Sequence, residues 1–261
     1  MKISSIKRLA LICAILMALS MFAVSAFGQD ETGVNPEQKI NYGVDVDFVS
    51  HYVFRGIQMT EKSALQPDVW FAMGPVTLKV WGNMPLEEGP NEKRFTELRY
   101  SGSYAASWGK FGLTTTLTQF EYPDTSRPDT AEAQLTITYP YKNFVFFANN
   151  ILDFQDMAGG YACEFGFLYN QKVAPKLVGD AAVLAVYTNN KYTEAITGVN
   201  DEGIFALAAD IGLTYDLSCG YYIRPHVLLT TLSMSGVRDF AEFFGLDRDN
   251  VVFAVTVGKK F

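Results

Sequence analysis

The C-terminal end of the chain limits its fold most. Val251, Phe253, Val255 and Val257 alternate with Val252, Ala254, Thr256 and Gly258, and the sequence ends on Phe261. A period of two puts one set on each face of a strand. Many similar segments precede this one, and a run of strands that ends in a strand avoids an open edge by closing on itself. A closed sheet ending on an aromatic strand is the expectation for an outer-membrane β-barrel. The terminal strand ending at Phe261 would then be what the barrel-assembly machinery engages.

The start of the chain points to export. Lys2, Lys7 and Arg8 form a basic head, and Leu9 to Phe22 is an apolar run interrupted by Ser20 alone. Small residues follow, allowing cleavage after Ala26 or after Gly28. The run is short for a membrane span. Residues 1–28 therefore read as a signal peptide and 29–261 as one outer-membrane barrel domain. Cys13, between Ile12 and Ala14, lacks the approach of a lipoprotein cysteine and reads as packing.

Loss of the leader leaves 18 Lys and Arg against 28 Asp and Glu, a formal charge of −10. Nucleic acid is excluded as a partner, because its phosphates need a basic surface. Two cysteines remain, Cys163 at one rim and Cys219 in a turn at the other. A disulfide needs Cα atoms within about 7 Å, so both are expected to be free thiols.

Alternation and turn signals give about twelve strands, near 42–55, 64–74, 76–84, 95–107, 111–122, 130–139, 144–152, 161–171, 177–188, 203–216, 221–231 and 250–261. The links alternate in length. Gly74-Pro75, Trp108 to Lys110, Pro140 to Asn143, Lys172 to Lys176 and Leu217 to Gly220 are short; the six others are longer and more polar. Tight turns on one side and long loops on the other define a single antiparallel up-and-down transmembrane β-barrel, an all-β fold. After the leader the longest clean apolar run, Ala181 to Tyr187, is far too short for a membrane helix.

The two faces of each strand decide which side meets lipid. On the first, Tyr42, Val44, Val46, Phe48, Tyr52 and Phe54 oppose Asp45, Asp47, His51 and Arg55. On the tenth, Phe205, Leu207, Ala209, Ile211, Leu213 and Tyr215 oppose Ala206, Ala208, Asp210, Thr214 and Asp216. An unpaired carboxylate in hydrocarbon costs several kcal/mol, so the apolar set faces outer-membrane lipid and the ionisable set a wet lumen. Tyr42, Tyr52, Tyr100, Tyr139, Tyr215 and Tyr221 fall near strand ends, where aromatic girdles belong. Pro225 is the misfit: a bulge there would flip the parity of Arg224 and His226.

A family resemblance adds to this. Residues 49–56 read Val-Ser-His-Tyr-Val-Phe-Arg-Gly, followed by Gln58, Thr60 and Ala64-Leu65-Gln66. Trp81-Gly82-Asn83, Glu97-Leu98-Arg99-Tyr100-Ser101-Gly102-Ser103-Tyr104 and Tyr122-Pro123-Asp124 come later. Over residues 42–124 this resembles the TorF-like porins of bacteria, although Arg99 stands where an Asp is usual in that family. The resemblance implies an exported outer-membrane barrel with pore function and supplies no substrate.

The inward candidates for lining a pore are Arg55, Asp45, Asp47, His51, Asp68, Lys79, Glu97, Arg99, Glu132, Asp210, Arg224 and His226. With Glu164 and Asp180 added they give eight carboxylates against Arg55, Lys79, Arg99 and Arg224, which favours small polar or cationic solutes over anions. Arg55, at the end of the first strand facing Asp45 and Asp47, either sets a transverse field or forms a bracing ion pair. His51 and His226 fall two strands apart, about 10 Å, without ligand spacing, so neither a metal nor another cofactor is expected. Catalysis is not expected: Ser50 and His51 point to opposite faces of an extended strand and cannot share a proton. Twelve strands lie between barrels filled by side chains and open channels, so the passage should be narrow. The rival reading is a non-conducting scaffold barrel; a lipid hydrolase ranks below it.

Overall fold

The computed structural model describes residues 40–86, 94–123 and 125–261. The leader expected over 1–28 lies outside the described residues. Among those described, β1 (Ile40–Val49), β4 (Ala64–Met73), β5 (Val76–Pro85), β6 (Glu97–Trp108), β7 (Phe111–Glu121), β8 (Thr130–Tyr141), β9 (Phe144–Asp153), β10 (Tyr161–Ala174), β11 (Leu177–Thr188), β12 (Gly203–Ser218), β13 (Tyr221–Leu232) and β14 (Asp249–Lys260) form one closed antiparallel barrel. The closing seam pairs β1 with β14, Val46 opposite Val257. β2 (Tyr52–Phe54) and β3 (Ile57–Thr60) make a separate two-stranded hairpin. Helices α1 (Asn190–Thr197) and α2 (Ser235–Phe243) sit in the β11–β12 and β13–β14 loops.

Closure satisfies every strand edge, which is what lets a sheet cross hydrocarbon. The outward face is apolar and bare: Val69, Ile211 and Phe253 are 52%, 57% and 62% exposed. Among the described residues no protein layer covers it, and the closed ring is an all-β transmembrane barrel. Aromatic pairs ring the short-turn rim. Tyr42 stacks on Phe261 with centroids 4.9 Å apart, Phe111 meets Tyr139 at 5.3 Å and Phe144 meets Tyr169 at 4.9 Å.

All twelve wall strands fall within a few residues of their expected positions except the first, which ends early. β1 stops at Val49, the chain bends at Ser50 and His51, and residues 52–60 turn into the barrel as the β2–β3 hairpin. Tyr52 and Phe54, expected on the lipid face, are inside, and Tyr52 belongs to no girdle. Phe205 is a second reversal. Val186 pairs with Ala206 and Tyr187 with Ile204, so Phe205 is the extra residue of a β-bulge. It is buried against Ile57 and Val186.

Pro225 produces no bulge. It lies opposite Val255 in an unbroken β13–β14 register, and its missing N–H falls on the other side, where β12–β13 pairing lapses between Gly212–His226 and Tyr215–Ile223. The register resumes unshifted, so Arg224 and His226 keep their inward parity.

Cys163 and Cys219 are free, the latter exposed. Both should react with a maleimide after denaturation, and Cys219 should also react in the folded protein. A denatured mature chain that takes up no label would contradict the structure.

Candidate functional site

The interior is built around the inturned hairpin. Its tip is the two-residue loop Arg55-Gly56, with φ of 49° and 91°, and Phe54 pairs with Ile57 across it. Two positive φ angles give the turn whose twist suits a tight hairpin. Gly56 is required twice over, because a Cβ there would lie 2.5 Å from Ala206 Cβ. The tip therefore presses on β12, three strands round the ring from its root at β1.

Arg55 fastens the hairpin to the far side. Its guanidinium donates to both carboxylate oxygens of Glu132 on β8, at 2.6 and 2.8 Å, and to Glu164 on β10 at 3.0 Å. It also meets the hydroxyl of Tyr192 on α1. Strands β8 and β10 flank β9, which is diametrically opposite β1 in the ring. Asn149 of β9 donates to the second oxygen of Glu164 at 3.2 Å. The Arg55 and Glu132 side chains are 7% and 2% exposed. Such a two-pronged, buried pairing is the strong form of an ion pair. The expected facing of Arg55 on Asp45 and Asp47 gives way to it, because the chain leaves the wall before reaching Arg55.

Tyr192 is held from its own side. Asn189 caps α1 by accepting from the Tyr192 N–H at 3.0 Å, and Gly198 ends the helix with φ of 72°. Burial pushes the Tyr192 hydroxyl up to about 12 against the opposing pull of the Arg55 guanidinium. It is a neutral phenol at any ordinary pH.

A second arginine lies beside the first. Arg99 donates to Glu97 at 2.7 Å and also meets the Tyr52 hydroxyl, which donates to the other Glu97 oxygen at 3.2 Å. Its guanidinium packs over Trp81 at 4.3 Å and Phe120 at 5.0 Å. Phe54 lies within 4.6 Å of the Arg55 guanidinium and 4.5 Å of that of Arg99. The hairpin's remaining surface is apolar. Ile57 packs with Val186, Phe205, Ala206, Leu232 and, from α2, Val237 and Ala241; Val53 packs with Val49, Ala64, Val252 and Ala254. The half of the interior nearest the long loops is thus a packed core. Glu97 and Glu132 face inward, as parity requires, but they are buried in protein and not in a wet lumen.

Toward the short-turn rim the interior opens into a cavity of about 1010 Å³. Asp180, Asp210, Thr214, Tyr222, Arg224 and Lys260 contribute to its lining. Arg224 donates to Asp180 at 2.8 Å and pairs with Asp210. Asp210 also meets His226 Nδ1 at 2.7 Å. Across the seam, Tyr222 donates to Asp45 at 2.6 Å, and Lys79 pairs with Asp68. One oxygen each of Asp47 and Asp68 and the Nε2 atoms of His51 and His226 are buried without a protein partner. Among the described residues, no group of three or more His, Cys, Asp or Glu could hold a metal ion.

Ser50 and His51 do not point apart as an extended strand would force. At the bend, Ser50 Oγ lies 3.2 Å from His51 Nδ1. Ser50 Oγ also accepts from the Phe253 N–H at 3.1 Å, which makes the serine an anchor for the bend. Sequence reasoning also missed Tyr192 and the role of Glu164 as a second acceptor for Arg55. The available hint was Gly56 beside a charged residue just where the inward faces of β11 and β12 turn apolar.

No family model matches the chain, and no curated protein matches it. Among solved structures, the fold is similar to that of a KdgM porin. That likeness has a TM-score of 0.53 at 9% identity, covering 84% of this chain and 99% of that one. The COG4313 outer membrane channel from Pseudomonas putida F1 is similar at a TM-score of 0.50 and 8% identity, covering 90% of this chain and all of the other. The barrel architecture is therefore shared with pore-forming proteins at an identity that speaks for fold alone.

Proposed function

We propose that this protein is a porin-like channel of the bacterial outer membrane, of the TorF-like type, passing small polar or cationic solutes by diffusion. The observation that carries this reading is a cavity of about 1010 Å³, with Asp180, Asp210, Arg224 and Lys260 in its lining, inside a lipid-facing barrel. A purely structural barrel has no need of charged side chains around an open interior, whereas a path for polar solutes does. Asp45, Asp47 and Asp68 against Lys79 on one wall, and Asp180, Asp210 and Asp216 against Arg224 and Lys260 on the other, leave the interior acidic and favour cations. The short turns belong to the periplasmic side and the long loops to the outside, as in barrels of this kind. The packed hairpin favours the rival reading of a non-conducting scaffold.

Planar-bilayer recordings across a potassium chloride gradient separate the two. Discrete steps with a cation-selective reversal potential are expected. Folded barrel that stays silent, with or without the hairpin in place, favours the scaffold.

A further inference from the structure

The hairpin is built differently from the wall that carries it. Its two strands bond to each other and to no strand of the barrel. Main-chain ties to the wall occur at its roots. Ser50 N–H donates to the Phe253 carbonyl at 2.8 Å, and the Ser63 carbonyl accepts from Leu86 N–H at 2.9 Å. Between these roots, among the described residues, the hairpin is held by side chains. Arg55 meets Glu132, Glu164 and Tyr192, Tyr52 meets Glu97 and Arg99, Gln58 accepts from the Asp247 N–H at 3.2 Å, Val53 packs on β1, β4 and β14, and Ile57 packs on β11–β13 and α2.

We infer that the β2–β3 hairpin is the gate of this channel, hinged at Ser50 and Ser63 and latched across the lumen by Arg55 on Glu132, Glu164 and Tyr192. This rests on the channel reading above and adds its regulation. A gate must block, swing and hold. The hairpin blocks, because it spans the ring from β1 to the strands on either side of β9. It can swing as a unit, because no ladder hydrogen bond has to break. It holds by a fork of charge-assisted bonds with defined geometry.

The latch makes a sharp prediction. In Arg55→Ala the closed state keeps the buried Glu132 carboxylate, and the partly exposed Glu164 beside it, without their cation, whereas the open state hydrates them. Unpairing a buried ion pair is among the most expensive single changes, so the ratio of open to closed should rise at least about tenfold. Glu132→Gln should act in the same direction and less strongly, since Glu164 remains. For the reverse test, a Gly56→Cys, Ala206→Cys pair is introduced with both native cysteines replaced by serine. A Cβ at position 56 would be 2.5 Å from that of Ala206, closer than the ~3.5–4.5 Å of a disulfide, so the bridge forms with a small retreat of the tip. Reduced, the crowded pair should open more often than the parent; oxidised, it should close the channel, and reductant should reopen it.

Single-channel recording of these proteins gives the result. Openings that multiply in Arg55→Ala and vanish on oxidation of the cysteine pair support the gate. Unchanged conductance in both overturns it while leaving the channel intact. If either variant fails to fold, the other decides alone. Silence of every protein, including one in which residues 52–60 are replaced by a Gly-Ser linker, removes the channel reading together with the gate.

Discussion

Arg99→Leu should lower the stability of the folded barrel by about 3–5 kcal/mol, because it strands a buried charge. Glu97 is 3% exposed. Its two oxygens are served by Arg99 at 2.7 Å and by the Tyr52 hydroxyl at 3.2 Å, and removal of the guanidinium leaves the hydroxyl alone. The substitution also empties the slot between Trp81, Phe54 and Phe120, whose rings lie 4.3–5.0 Å from the guanidinium carbon. Contacts of that kind are worth about 0.5–2 kcal/mol each when desolvated. The double change Glu97→Leu, Arg99→Leu removes the stranded carboxylate as well. It should recover most of the loss, since a buried ion pair replaced by apolar side chains is often neutral overall. The guanidinium unfolding midpoint in lipid vesicles, followed by the fluorescence of Trp81 and the other tryptophans, measures both. A single and a double variant equally destabilised would mean that the pair contributes by its own attraction and not by avoiding an orphan.

How much of this could be read from residues alone differs between wall and interior. The wall was legible because its determinants are local. Val251 to Gly258 alternate, Gly74-Pro75 and its counterparts mark short turns, and a closed ring follows from pairing each strand with the next. The hairpin was not legible, because Tyr52 and Phe54 continue the outward parity of Val44 and Phe48 without a break. Their reversal depends on partners that meet Arg55 only in space: Glu132 and Glu164 are 77 and 109 residues away in sequence. Parity found the right arginine and the right carboxylates but matched them wrongly, since it assumed that Arg55 stays in the wall beside Asp45 and Asp47. One signal did point inward. Ala181 to Tyr187 and Val251 to Val255 are apolar on both faces, and a strand between lipid and water has no use for two apolar faces. Val186, Val252 and Ala254 are among the inward members of those runs, and they pack around the hairpin.

That division of faces also supplies the second large effect. Ile211→Arg should destabilise the barrel in a bilayer by about 2–4 kcal/mol, the cost of an arginine on the lipid side near mid-membrane. Ile211 lies mid-strand in β12, opposite Ala181 and Val227, and is 57% exposed. Thr214, three residues on, faces the other way and donates to Asp180 at 3.2 Å. An arginine at Thr214 projects into the charged cavity, where water and the Asp180 and Asp216 carboxylates can accommodate it. Its cost should stay within about 1 kcal/mol, and its added positive charge should weaken cation preference in the same recordings. The two substitutions introduce the same side chain on one strand, so propensity and overall charge cancel in the comparison. Equal, small losses at both positions would mean that Ile211 does not meet hydrocarbon, and the assignment of the apolar face to lipid would fail with it.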